Sequence, residues 1–193
     1  MPFPHAAWMT EEHATYGQTV RQFFEAEVRP HLEAHREAGV VPRENWNKAA
    51  EIGLLGATIP EAFDGAGCPL SFDLITMYEQ GRIGDSGWGF AIQTIVSHYL
   101  QAYGTPDQKA QWLPKLASGE RIAAIAMTEP GTGSDLQGVR TKAEREGDVY
   151  RLTGSKTFIT NGQTADLICV VAKTDVSQGA NGTSLLMVET DGL

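Results

Sequence analysis

Two cysteines, Cys68 and Cys169, in 193 residues leave no room for a disulfide framework. Without a C-x-x-C pair there is no zinc ribbon either, and a reducing cytoplasm is the default location. Long hydrophobic runs are also missing. None approaches the roughly 18 apolar residues of a membrane-spanning helix, and Met1 to Met9 has neither the basic n-region nor the apolar h-region of a secretion signal. Positive charge is scarce and scattered: 15 Lys and Arg stand against 24 Asp and Glu, a formal −9, with no basic run. That balance disfavours sequence-independent binding to nucleic acid or anionic membrane, so an anionic ligand must be held by local groups. The pentapeptide G-x-S-x-G of a serine hydrolase is absent, although Ser97 and His98 are adjacent. Gly65-x-Gly67 and Gly131-x-Gly133 both miss the third glycine of a dinucleotide fingerprint.

What is present is the balance of a globular chain, 41% hydrophobic and 20% charged, which argues against disorder. Glycine is in excess, 21 residues or about 11% against a usual share of about 7%, which means many turns and backbone able to approach a ligand closely.

The pattern changes near residue 120. Before it, apolar residues recur at helical spacing. Thr10 caps a first helix that carries Glu11 and Glu12 in its first turn and Tyr16, Val20, Phe23 and Phe24 on one face. Pro30 ends or kinks it. Further helices are expected over 44–52, 72–83 and 89–103, with a Gly- and Pro-rich loop over 58–69. Thr105-Pro106-Asp107-Gln108 combines a cap, a proline at the first helical position and a capping-box glutamine. After Gly119 the chain reads as short strands, over 122–127, 149–152, 157–160, 167–172 and 183–188. The expected fold class is α+β: an all-helical domain over residues 1–120, then a small β-barrel or sandwich over residues 121–193.

Few side chains suggest chemistry. His31 and His35 share a helix face, but no third ligand at metal spacing accompanies them, so they read as a solvated surface. Cys169 lies in an apolar strand and reads as a small buried hydrophobe. The segment Met127-Thr128-Glu129-Pro130-Gly131-Thr132-Gly133-Ser134-Asp135 differs. It follows an apolar strand and gathers hydroxyls and free backbone N–H groups in one turn. Such a turn either wraps phosphate oxygens or simply ends a strand with an Asx turn at Asp135.

Thr128-Glu129-Pro130-Gly131-x-Gly133-Ser134-Asp135 resembles the signature of the acyl-CoA dehydrogenase family, and Gly154-Ser155-Lys156-x-Phe158-Ile159-Thr160-Asn161-Gly162 resembles that family's second flavin-contacting segment. The pieces Gly53-Leu54-Leu55-Gly56 and Leu113-Pro114-Lys115-Leu116 agree, and the resemblance runs from about residue 10 to the end. Ala124-Ile125-Ala126-Met127 with Leu136-Gln137-Gly138 looks most like the long-chain branch. Three positions depart from the pattern. Thr132 replaces a smaller residue on what reads as an exposed turn, Phe158 stands where many members have Trp, and Phe63-Asp64-Gly65-Ala66-Gly67 lacks a Gly-Gly pair.

The resemblance implies an N-terminal helical domain, a middle β domain and a C-terminal four-helix domain, the last absent from this chain. It implies FAD as cofactor and α,β-dehydrogenation of an acyl-CoA thioester, with electron-transfer flavoprotein as acceptor and a homotetramer as the assembly. Oxidases and monooxygenases on the same fold, and a stand-alone binding module without catalysis, are the alternatives. By the same resemblance Ile125, Ala126, Met127, Thr128, Glu129, Pro130, Gly131, Thr132, Gly133 and Ser134 lie along the flavin, and Phe158, Ile159 and Thr160 beside its ring. Ser134, Ala180 and Asn181 would touch the CoA side, and Gln93 and Thr94 would line the acyl channel. The family's catalytic Glu belongs to the C-terminal domain, so no catalytic residue is named here, Glu129 included. The chain breaks off at Asp191-Gly192-Leu193, where the β domain would hand over.

Overall fold

The computed structural model describes residues 6–190; the terminal stretches 1–5 and 191–193, on which the expectations about a signal and a hand-over partly rest, lie outside the described residues. The chain divides into two compact units, Met1–Arg121 and Ile122–Leu193.

The first unit is helical, with α1 Glu11–Phe23, α2 Leu32–Ala38, α3 Arg43–Glu51, α4 Ser71–Arg82, α5 Phe90–Tyr103 and α6 Pro106–Ala117. The Thr10 N–H donates to His13 Nδ1 at 3.1 Å to open α1. Pro30 does not end the helical path. Its ring and missing N–H disturb the preceding turn, which widens into a π-helical stretch over Phe24–Val28 and then tightens to a 3₁₀ turn over Arg29–His31 before α2 begins. The capping box at α6 forms as the sequence suggests: Gln108 N–H donates to Thr105 Oγ1 at 3.2 Å, and Thr105 N–H to Gln108 Oε1 at 2.9 Å.

α1 packs on α4. Their contact is fastened by Glu79, fully buried, which accepts from Arg21 Nη2 at 2.7 Å and from Arg82 Nε at 2.6 Å. Beside it Phe23, Phe24, Trp46 and Phe90 surround Trp88, whose ring meets Trp46 edge-on at 5.1 Å. Aromatic burial of this kind dominates the stability of a small helical core.

The second unit is one mixed sheet of β1 Ala123–Ala126, β2 Lys142–Glu146, β3 Val149–Thr153, β4 Leu167–Lys173 and β5 Thr183–Glu189. β4 is its axis. β5 runs antiparallel along one edge, from Leu167↔Glu189 to Lys173↔Thr183. The other edge is shared in succession: β1 lies parallel over Ala123↔Leu167 to Ala126↔Val170, and β2 joins further along at Lys142↔Lys173. β2 and β3 form a hairpin through Gly147, whose φ of 64° suits glycine. Between leaving the edge of β4 at Ala126 and rejoining it at Lys142, the chain must make an excursion, and this excursion is the loop singled out in the sequence.

Two strand assignments change. Residues 157–160 form a turn, with Phe158 at φ 56°. Residues 142–146, rich in charge, form β2 instead, because the Val149–Thr153 strand needs an antiparallel partner and the Gly147 turn supplies one.

Candidate functional site

The loop after β1 begins with a two-residue hairpin turn. Glu129 N–H donates to Thr132 O at 2.9 Å and Thr132 N–H returns to Glu129 O at 3.0 Å, which puts Pro130 and Gly131 at the exposed tip. Asp135 then accepts from Gln137 N–H at 3.1 Å, the Asx turn expected at this position.

The Glu129 side chain holds this loop in place. Its carboxylate is buried and accepts from Arg140 N–H at 2.8 Å, Thr141 N–H at 2.9 Å, Thr141 Oγ1 at 2.6 Å and Lys156 Nζ at 3.0 Å. Burial alone would raise its pKa, but the donors from Thr141, Arg140 and Lys156 outweigh it and hold the carboxyl at about 2. A carboxylate so fully engaged is a poor proton acceptor. Lys156 also donates to Met127 O at 2.8 Å, and Thr157 N–H to Thr128 O at 3.0 Å. These bonds bind the second segment to the first. Lys156 and Thr141 are the residues the sequence reading missed; the visible signal was a lysine inside the second block, between Gly154 and Phe158.

Gly154 is required for that joining. A Cβ there would lie 2.4 Å from Thr141 Oγ1 and 2.7 Å from Thr141 Cα. Gly131 and Gly133 are different. Neither has a positive φ, and a Cβ at either would meet nothing within 4 Å. Nothing inside the unit demands glycine at these two positions, and without a Cβ their backbone is open to close approach by a ligand. The N–H groups of Gly131, Gly133 and Ser134, and the hydroxyls of Thr128, Ser134 and Thr160, make no hydrogen bond within the protein among the described residues.

Phe158 completes the arrangement. It is a bulky residue at positive φ with its ring 91% exposed, an unfavourable conformation and an unfavourable exposure at once. Neighbouring geometry enforces it. Asn161, also at positive φ (64°), donates from Nδ2 to Ala123 O at 3.0 Å, and Gly162 N–H closes back on Ile159 O at 2.9 Å. Ile159 is half-buried and Thr160 exposed.

The other candidate residues fall as follows. Ile125 and Ala126 are buried in β1, and Met127 and Thr128 are half-buried where the strand ends. Thr132 is not on an exposed turn: it is 7% exposed and its Oγ1 donates to Gly138 O at 3.0 Å, so the larger residue is accommodated inside the loop. Ala180 and Asn181 are exposed in the turn Val176–Gly182, which packs against the turn Leu136–Gly138 just after Ser134, so these three residues gather at one end of the second unit. Gln93 and Thr94, in the first unit, are buried in α5, and Gln93 acts as a strut, donating from Nε2 to Leu116 O at 3.2 Å and Arg121 O at 3.1 Å. Ser97 donates to Thr94 O at 2.8 Å and has no part in a hydrolytic arrangement. Burial pushes the Cys169 thiol to about 11, as befits a core residue.

A phosphate-rich aromatic cofactor fits this set. Backbone donors and hydroxyls without a partner among the described residues lie beside glycines that leave room for it, and one aromatic ring is held out against conformational preference. The comparisons with known proteins agree. Residues 10–120 match the family model "Acyl-CoA dehydrogenase, N-terminal domain", and residues 124–193 match "Acyl-CoA dehydrogenase, middle domain". The chain is 46% identical over 183 residues to the long-chain specific acyl-CoA dehydrogenase, mitochondrial, of Rattus norvegicus, covering 93% of this chain and 43% of the relative. Among solved structures, an acyl-CoA dehydrogenase from Geobacillus kaustophilus is similar with a TM-score of 0.92 and 41% identity, over 97% of this chain and 50% of that one. A glutaryl-CoA dehydrogenase from Mycobacterium smegmatis, solved in complex with FADH2, has a TM-score of 0.85 at 30% identity, over 95% of this chain and 46% of that one. The chain thus spans about half the length of the relatives it matches. With its two flavin-type segments tied together by Glu129 and Lys156, and both family models matched along nearly its whole length, the chain belongs to the acyl-CoA dehydrogenase family.

Proposed function

We propose that this chain is the flavin-holding portion of an acyl-CoA dehydrogenase, which removes one hydrogen from each of Cα and Cβ of an acyl-CoA thioester to give the trans-2-enoyl product. One observation carries the proposal: Gly131 and Gly133 have no internal reason to be glycine, and with Ser134 they turn free N–H groups outward. Those groups would hold the pyrophosphate of FAD. The hydroxyls of Thr128 and Thr160 would bond the edges of the ring system, and Phe158 would cover one of its faces. Bound FAD supplies the hydride-accepting chemistry. The residues of this chain bind it, orient it and exclude water from one side.

On the resemblance, the base that takes the α proton belongs to the part of the relatives' length that this chain does not span; Glu129, committed to four donors, is unsuited to the role. On this reading the 193 residues alone hold FAD weakly and do not turn over acyl-CoA, electron-transfer flavoprotein is the acceptor of the whole enzyme, and the whole enzyme is a homotetramer. Titrating FAD into the purified chain and following flavin fluorescence tests the binding part. Saturable quenching with a Kd on the order of micromolar is expected. Absence of saturation, with unmoved amide resonances at Gly131, Gly133 and Phe158, would overturn the reading.

A further inference from the structure

We propose that a crevice at the junction of β2 and β4 binds a phosphomonoester dianion carried on a larger organic group. The pairing register shows the reason. Lys142 of β2 stands directly opposite Lys173 of β4, Lys142 is also opposite Thr153 of β3, and Lys173 is also opposite Thr183 of β5. Cross-strand partners share a face, so a row Thr–Lys–Lys–Thr crosses four strands with two lysines at its centre, the Lys173 ammonium leaning along it to Thr183 Oγ1 at 2.9 Å. Like charges directly opposite each other destabilise a sheet unless something offsets them.

Among the described residues neither lysine makes an ion pair. Lys173 is 7% exposed, yet its ammonium is held only by neutral groups, Gly179 O and Thr183 Oγ1, which leaves one of its three N–H bonds uncommitted. Lys142 is exposed and has no ion pair among the described residues. A buried ammonium without a carboxylate is costly, and this chain carries 24 acids to 15 bases, so acids were available.

The strands diverge beyond this pair. β2 has no further pairing with β4, and the gap between it and residues 174–176 is a crevice of about 430 Å³ that Arg145, Tyr150, Thr174 and Asp175 also line. Asp175 on its wall accepts from Ser177 N–H at 2.9 Å and from Ser177 Oγ at 2.6 Å, which orient its carboxylate. Glu144, also on the wall, faces Arg151 at 3.5 Å. With Arg145, the two lysines outnumber the wall's two carboxylates, Glu144 and Asp175, three to two, and that balance sets the sign of the site. Its volume exceeds that of a bare phosphate and falls within the range of pockets for small organic ligands. Half-exposed Tyr150 offers a ring on which a planar group can stack.

The phosphomonoester has two sources, the nucleotide end of coenzyme A or a free nucleoside monophosphate. The first rests on the function proposed above and the second does not. The test is an amide-resonance titration of the whole 193-residue chain with adenosine monophosphate, coenzyme A and dephospho-coenzyme A, in the native protein and in Lys142→Glu. Lys142 is exposed, and unmoved resonances elsewhere check that the variant is folded. Adenosine monophosphate should shift the amides of Lys142, Tyr150 and Thr174, and Lys142→Glu should weaken its binding at least about tenfold. Coenzyme A binding at least about tenfold tighter than its dephospho form assigns the site to the substrate. Equal binding of those two, with adenosine monophosphate still bound, assigns it to a free nucleotide and leaves the flavin proposal untouched. No shift at the crevice with any of the three, or unchanged binding in Lys142→Glu, overturns the proposal.

Discussion

Replacing Glu129 by Gln tests the claim that its carboxylate organises the flavin loop. The structure supplies the magnitude. Four donors reach that carboxylate, two of them backbone N–H groups of Arg140 and Thr141. They lower the carboxyl from an ordinary 4.5 to about 2, which is roughly 3 kcal/mol of preference for the ionised form in the folded state. Lys156 is 11% exposed and the loop lies at the surface, so screening reduces this to about 2 kcal/mol. Gln keeps one acceptor oxygen but turns an NH₂ toward donors, so the loss in Glu129→Gln is also about 2 kcal/mol. The four tryptophans all lie before residue 121, so fluorescence does not report on this unit and amide exchange is the better assay. Protection of the Thr132 and Thr141 amides should fall about 30-fold in the variant. The pH dependence has a definite sign. The folded-state carboxyl lies below its unfolded value, so the stabilisation is complete above about pH 5 and is lost as pH falls through 4.5 toward 2. Glu129→Gln should flatten that part of the profile. Unchanged protection of both amides, or an unaltered acid limb, would refute the clamp.

Gly133→Ala should leave stability within about 0.5 kcal/mol, since its Cβ meets nothing, yet weaken FAD binding about tenfold in the same fluorescence titration if backbone approach explains the glycine. Phe158→Gly should move two assays in opposite directions: relief of the positive φ, with no buried area lost from a ring 91% exposed, should stabilise the unit by about 0.5–1 kcal/mol in urea unfolding followed by circular dichroism, while FAD binding weakens. In the first unit Asp73 is 2% exposed, and burial raises its carboxyl above 3.8 against opposing hydrogen bonds from Thr58 and His98. Its folded form binds the proton more tightly, so stability by tryptophan fluorescence should decline as pH rises from 3.8 through that raised value, and Asp73→Asn should remove this decline.

Helices with local signals were legible in the sequence: the Thr105 capping box and the Thr10 start depend on residues within one turn of each other, and both are present. Pro30 shows the limit of such signals. A proline removes one hydrogen bond, but whether the chain then stops or widens depends on packing, and buried Phe24 and Val28 hold the widened turn in the core. The strand at 142–146 was illegible because a sequence of Lys, Ala, Glu, Arg and Glu, with Ala143 alone buried, carries no period of two. Its pairing with β3 and β4 makes it a strand, and neither partner is visible locally.

The candidate site was legible for a different reason, and the difference explains what was missed. Motif residues at a binding loop face outward, so they are spared from packing and keep a recognisable pattern: Gly131, Gly133, Ser134 and Phe158 are all exposed. The residues that set the loop's shape face inward and have alternative explanations in any sequence. Thr132 reads as a surface threonine and is buried, and Lys156, given no role by the sequence, bridges Met127 O and Glu129. Phe158 reads as a strand residue because aromatics favour strands, while its positive φ is imposed by the turn around Asn161 and Gly162, held in turn by the carbonyl of Ala123 in a strand 38 residues away. The strain at Phe158 is therefore maintained by the same sheet that positions Gly131 and Gly133. Asn161→Ala, which removes the bond to Ala123 O, should relax the Phe158 turn and weaken FAD binding while leaving Gly133 in place.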